Sequence, residues 1–192
     1  MSASPARLRI HQFQPASLSN GPGWRAVIWL QGCTLACPGC FNPQTHAPAG
    51  GQWLAVDDLV EQILALQPSI EGITISGGEP LQQLPGLLAF LARIRAASNL
   101  SSLLFSGFTW TEIQKMPQAS RLLANIDVLI AGRYDGNQRV AHGLLGSQNK
   151  TVHFLTNRYA IIDLQAVPEA EVILTQNGEI IFTGINPAHW AG

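Results

Sequence analysis

Apolar and polar positions along the chain switch period repeatedly, and each switch marks an element. Ala26–Leu30 (AVIWL) is a continuous apolar run of strand length. In Asp57–Leu66, Leu59, Val60, Ile63 and Leu64 share one helical face, with Asp58 and Glu61 spaced for a cap. Gly72–Ser76 (GITIS) reads as a second buried strand ending at a Gly-Gly turn. Leu84–Ala97 has the clearest helical period, carried by Leu84, Leu87, Leu88, Leu91 and Ile94. Leu103–Phe105 is a third strand, and Thr109-Trp110-Thr111-Glu112 has the residues of a capping box opening a further helix. Asp127–Ile130 and Thr151–Leu155 read as strands, and alternation on both sides of Asn177-Gly178 predicts a hairpin.

Strands alternating with helices over short connections predict an α/β fold built on a mostly parallel sheet. Ligands of such sheets sit at the carboxyl ends of the strands. Three unusual segments follow predicted strands: the cysteine loop, Gly77-Gly78-Glu79 and Ser106-Gly107. Their order alone predicts convergence on one rim.

Composition narrows the function. At 192 residues with 46% hydrophobic content the chain can bury a substantial core. Net charge is −1 and no basic stripe is present, which sets nucleic acid aside as a partner. The N-terminal stretch lacks the apolar region of a signal peptide, and no apolar run is long enough to span a bilayer. The expectation is a soluble, cytoplasmic protein. Charged residues are only 12%, against roughly 25% in average soluble proteins, which points to a partner covering part of the surface. The five tryptophans read as core or interface aromatics, and the five histidines as structural or exposed. Arg133 and Arg139 are candidates for partner docking.

The chemistry concentrates in Cys33, Cys37 and Cys40, spaced C-x3-C-x2-C. An odd, clustered set suits metal rather than disulfides. Three thiolates from one loop can hold three corners of a [4Fe–4S] cluster, and the missing fourth cysteine leaves one iron open for chemistry. The alternative is a non-enzymatic module for electron transfer or assembly, holding either an iron–sulfur cluster or a zinc bound by the three cysteines and His46. Downstream, Ser76-Gly77-Gly78-Glu79-Pro80 couples two conformationally free residues to a carboxylate able to accept from an ammonium group.

The cysteine loop together with SGGEP resembles the radical S-adenosylmethionine (SAM) superfamily. More narrowly, Asn20–Arg25, the CPGCFN segment, Ser106-Gly107-Phe108, Asp127–Tyr134 and Gly146–Asn149 with Val152-His153 resemble the anaerobic ribonucleotide reductase activating proteins, a group of glycyl-radical-enzyme activases. The resemblance runs from about Ile10 to Leu155. It implies a partial (β/α) barrel with the C-terminal hairpin added. The expected organisation is a radical SAM core over 1–155 and an extension over 156–192 packed on the same domain.

The same resemblance implies that the open iron binds SAM, which is cleaved to methionine and a 5′-deoxyadenosyl radical that abstracts hydrogen from a glycine of a partner enzyme. No catalytic residue is implied beyond the cluster and SAM. Gly77, Gly78 and Glu79 would contact the amino end of SAM, and Ser106 would line the same site. Gly39, Phe41 and Asn42 are the candidates for the adenine, the backbone of Gly39–Phe41 foremost because it lies beside the cluster. Implied partners are a large glycyl radical enzyme and a one-electron reductant such as flavodoxin or ferredoxin. Ala131 stands where the family tends to have an acidic residue, Leu145 where it tends to have Arg, and about forty residues extend beyond the short activases. These departures leave room for another substrate, whether protein, peptide or small molecule.

Overall fold

The computed structural model describes residues 5–175 and 177–186; His189 and Trp190 lie outside them. The chain opens with a long strand, β1 (Arg7–Ser17), in which buried Leu8, Ile10 and Gln14 alternate with more exposed neighbours. It turns back into β2 (Arg25–Leu30), antiparallel to it. After the cysteine loop come β3 (Gln52–Ala55), paired to the outer edge of β1, and α1 (Val56–Leu64). The cap predicted at Asp58 does not form on α1. Ala55 occupies the capping position without a side-chain bond, while Asp57 and Asp58 fall in the first turn, where negative charge favours the helix dipole.

The parallel centre follows. β4 (Gly72–Gly77) lies beside β2, and β5 (Ser101–Ser106) beside β4. Between them α2 spans Leu84–Ala97, the range predicted from its period. Pro85 in its first turn costs no hydrogen bond, and Ser98 stops it by donating its hydroxyl to the Ile94 carbonyl at 2.8 Å. Leu87, Phe90, Leu91 and Ile94 are fully buried, each contributing about 1.5–3 kcal/mol of apolar burial. Next come α3 (Trp110–Gln114), opened by the expected Thr109–Glu112 capping box, and α4 (Ala119–Leu123). β6 (Val128–Ala131) then joins β5 in parallel.

A small hairpin of β7 (Arg139–His142) and β8 (Leu145–Ser147) leads to β9 (Thr151–Phe154), which closes the sheet antiparallel to β6. The seven strands run β3-β1-β2-β4-β5-β6-β9. The sheet is parallel at its centre and antiparallel at both ends. Among the described residues β3 and β9 do not join, so no closed barrel forms. The short helix α5 (Ile161–Gln165) and the hairpin of β10 (Ala170–Leu174) and β11 (Ile180–Gly184) complete the chain.

Helices α1, α2, α3 and α4 cover one face of the sheet through Ile28, Ile73, Ile75, Leu104 and Leu129. A smaller cluster on the other face packs Leu103, Val128 and Ile130 against Leu144 and Leu164. That second face is otherwise polar near β2. Arg25 is fully buried there and donates to Thr74 Oγ1 (2.8 Å), Ser101 Oγ (2.8 Å) and the Ile73 carbonyl (2.6 Å). A buried guanidinium is tolerated only because its donors are taken up in this way.

The C-terminal hairpin is tied to the first turn of the chain. Glu171 Oε2 accepts from Ser17 Oγ (2.6 Å), Leu18 N (3.0 Å) and Ser19 N (3.3 Å), and Asn20 donates to Thr183 Oγ1 (2.9 Å). No described helix is long and apolar enough to cross a membrane.

Candidate active site

The carboxyl ends of β2, β4 and β5 open onto a cavity of about 290 Å³. All three cysteines line it, together with Phe41, Asn42, Gly77, Gly78, Glu79 and Ser106. The rim expected from the order of the motifs therefore exists. Gly39 is not among the lining residues; it is exposed at the outside of the loop, near the ring of Tyr134.

Backbone pairing explains why the two motifs meet. Gly32 N donates to Thr45 O (2.7 Å) and Cys33 N to His46 O (3.1 Å), which closes the cysteine loop on itself. Gly78 N reaches Leu30 O (2.7 Å) and Glu79 N reaches Gly32 O (2.9 Å), fastening the glycine turn to the base of that loop. Only glycine permits this approach. Gly77 has φ +103°, and a Cβ on either Gly77 or Gly78 would run into the backbone of Leu30 or Gly32. Gln82 adds a side-chain clasp, accepting from Thr34 N (3.1 Å) and donating to Thr34 Oγ1 (2.6 Å).

Glu79 is buried at 1% exposure. Its Oε1 accepts from Leu81 N (2.9 Å) and Ser106 Oγ (2.9 Å), and its Oε2 from Gly107 N (2.7 Å). Burial raises its pKa, while these three donors and the charge of Lys150 pull the other way. A carboxylate has about four acceptor positions, so one lone pair of Oε2 remains for a further donor.

The thiols of Cys33 and Cys40 are pushed above their ordinary value, first by burial and further by neighbouring negative charge, including Cys40 on Cys33 and Cys37 on Cys40. Three thiols gathered in one cavity suit a shared cationic group, which binds them as thiolates. Among the described residues no three His, Cys, Asp or Glu side chains converge as ligands of a single metal ion. The donor chemistry fits an iron–sulfur cluster, whose several irons let the thiolates stand further apart. Nε2 of His46 is buried with no protein partner, an atom that a polar ligand in the cavity would satisfy.

Several lining residues carry no functional motif in the sequence. His11 and Gln12 come from β1, and Trp29 and Phe105 project from β2 and β5 onto the second face. Alternation in Leu8-Arg9-Ile10-His11 was the available signal for β1. Lys150 and the segment Ile181–Ile185 also line the cavity, and no local pattern marks them. Phe41 packs its ring near Tyr134 (centroids 4.8 Å) and under the Arg139 guanidinium (4.9 Å). Arg139 is thus held at the cysteine loop, and Arg133 is paired with Glu112 at 2.8 Å. Trp24 and Trp53 are exposed, while Trp110 stacks on His153 at 4.1 Å.

A family model described as a 4Fe-4S single cluster domain matches residues 19–153. The anaerobic ribonucleoside-triphosphate reductase-activating protein of Salmonella typhi is 31% identical over 157 residues, covering 77% of this chain and 99% of that one. Its counterpart in Escherichia coli (strain K12) is 29% identical over 155 residues, with the same coverage. The pyruvate formate-lyase-activating enzyme of Clostridium pasteurianum is 42% identical over 79 residues, which is 39% of this chain and 33% of that protein.

Proposed function

This chain belongs to the 4Fe-4S single cluster domain family, and from that membership we propose that it is a radical SAM activating enzyme that installs a glycyl radical on a large partner enzyme of the anaerobic ribonucleotide reductase kind. The observation that carries this reading is the single cavity shared by the three cysteines, Gly77-Gly78-Glu79 and Ser106 at the carboxyl ends of the parallel strands. The sheet is read as part of a (β/α) barrel, open between β3 and β9 so that a large partner can present a loop.

Cys33, Cys37 and Cys40 would hold the cluster. Bound there with SAM and given one electron, it supplies reductive cleavage to methionine and a 5′-deoxyadenosyl radical. The chain's own residues bind, orient and exclude water. Glu79 keeps one acceptor position for the ammonium of SAM, and Gly77 and Gly78 bring main-chain groups close to the ligand. Ser106 holds Glu79 in place. Phe41, wedged between Tyr134 and Arg139, shields the cluster side of the cavity, and Asn42 presents its amide beside it. The electron would come from a flavodoxin- or ferredoxin-like donor.

A second substrate class is favoured by one specific observation. Ile181–Ile185 line the cavity, yet they lie beyond the matched residues 19–153. An extension that forms a wall of the site alters what the site admits, which suits a radical SAM enzyme acting on another protein, a peptide or a small molecule.

The test is 5′-deoxyadenosine formation by anaerobically reconstituted protein with SAM and a strong one-electron reductant, without and with a candidate glycyl radical enzyme. Product dependent on the three cysteines, accompanied by a glycyl radical signal on the partner, is expected. A full iron complement with no product under either condition would overturn the assignment.

A further inference from the structure

Lys150 sits between β8 and β9 with its stem half-buried and its ammonium aimed at the cavity that the cysteines line. Its Nζ donates to the Gly132 carbonyl, which uses one of three donor positions. Among the described residues no carboxylate forms an ion pair with it. Glu79, the buried anion of the same cavity, is engaged by three neutral donors instead. The structure thus holds a half-buried cation with unused donors, lining the cavity of the thiols and in direct ion pair with no carboxylate among the described residues. Burial lowers its pKa, but the charges of Cys37, Glu79 and Cys40 all act to keep it protonated.

We propose that Lys150 sets the reduction potential of the cluster, its ammonium serving as the counter-charge to the thiolates of Cys37 and Cys40. The inference rests on the reading that these thiols carry a [4Fe–4S] cluster. Such a cluster with three thiolates is anionic, and reduction makes it more so. A fixed positive charge in the same cavity stabilises the reduced form more than the oxidised one. The step concerned is the transfer of one electron from an external low-potential donor to the oxidised cluster. No bond forms or breaks, and the step moves no proton. Its role is to make that electron easier to accept.

The test is a redox titration of reconstituted holoprotein without SAM, followed by the electron paramagnetic resonance signal of the reduced cluster. K150Q removes the charge while keeping a donor for Gly132 O, and K150R restores the charge. The one-electron reduction equilibrium of K150Q should fall about tenfold or more, a midpoint lower by about 59 mV. K150R should stay near the parent value. Equal midpoints in parent and K150Q, at equal iron and sulfide content, would overturn the inference. Equal midpoints with weakened SAM binding in K150Q would also overturn it, by assigning the ammonium to the ligand. Failure of the parent protein to show any cluster signal would instead sink the cluster reading itself, so the two failures are distinguishable.

Discussion

Glu79 accepts a hydrogen bond from Ser106 Oγ at 2.9 Å across 27 residues of sequence. The turn after β4 thereby holds the turn after β5, and the backbone N–H of Gly107 reinforces it at 2.7 Å. One buried carboxylate sets the spacing of two strand ends that face the same cavity. Site geometry and local stability are therefore linked at this residue.

Replacing Glu79 with Ala should have two separable effects. Three buried or half-buried donors lose their acceptor, at about 1–3 kcal/mol for each group left unsatisfied, so denaturant unfolding should shift to lower concentration. SAM binding, measured by equilibrium titration of the reconstituted protein, should weaken at least tenfold. Unchanged affinity at reduced stability would leave Glu79 a purely structural brace.

Alanine in place of Cys33, Cys37 or Cys40 should abolish 5′-deoxyadenosine formation, because each thiol supplies one corner of the cluster. The fold should survive. All three cysteines are only half-buried, and none belongs to either apolar cluster. Circular dichroism and thermal unfolding of the metal-free proteins should match the parent, while bound iron falls. Full turnover in any one variant would contradict the ligand assignment.

Glu171 connects β10 to Ser17, Leu18 and Ser19. E171A should loosen the C-terminal hairpin without unfolding the sheet, since these bonds lie outside both apolar clusters. Hydrogen exchange of residues 170–184 should accelerate about tenfold or more, equivalent to losing about 1.4 kcal/mol of local stability or more, within the range for such bonds. Exchange over α2 should stay as in the parent.

The α3 capping box carries a pH signature. Glu112 is lowered from its ordinary 4.5 to about 2, chiefly by the Arg133 guanidinium and then by the Thr109 N–H. A depressed folded-state pKa means the stabilisation is present above about 4.5 and is lost as pH falls through about 2. Salt and solvent reduce its size, because both partners are about 40% exposed. Acid titration of stability should therefore be steeper over that window in the parent than in E112Q. Coincident curves would show that the pair contributes nothing.

Much of the frame was legible from sequence because its causes are local. The period of Leu87, Leu88, Leu91 and Ile94 marks α2 to the residue, and Thr109 with Glu112 marks the start of α3, since both depend on neighbours three or four positions apart. β1 is not legible in the sequence because its inward positions include Gln14 and Ser17, polar residues that imitate a loop until their partners are known. The predicted cap at Asp58 gave way because strand β3 runs directly into α1, leaving Ala55 at the cap position.

The sequence by itself determined the chemistry: three thiols in one short loop and a Gly-Gly-Glu turn after a strand are local facts of composition and spacing. Only the tertiary structure decided how that chemistry is housed. Arg25 becomes the fully buried brace of β4 and β5, Glu79 is captured by Ser106 and Gly107, Lys150 enters the cysteine cavity, and Ile181–Ile185 close one wall of it. Each of these depends on residues far apart in the chain being brought together by the fold. A charge or a hydroxyl gains its role there from the partner that desolvation forces upon it, and no local pattern records which partner that will be.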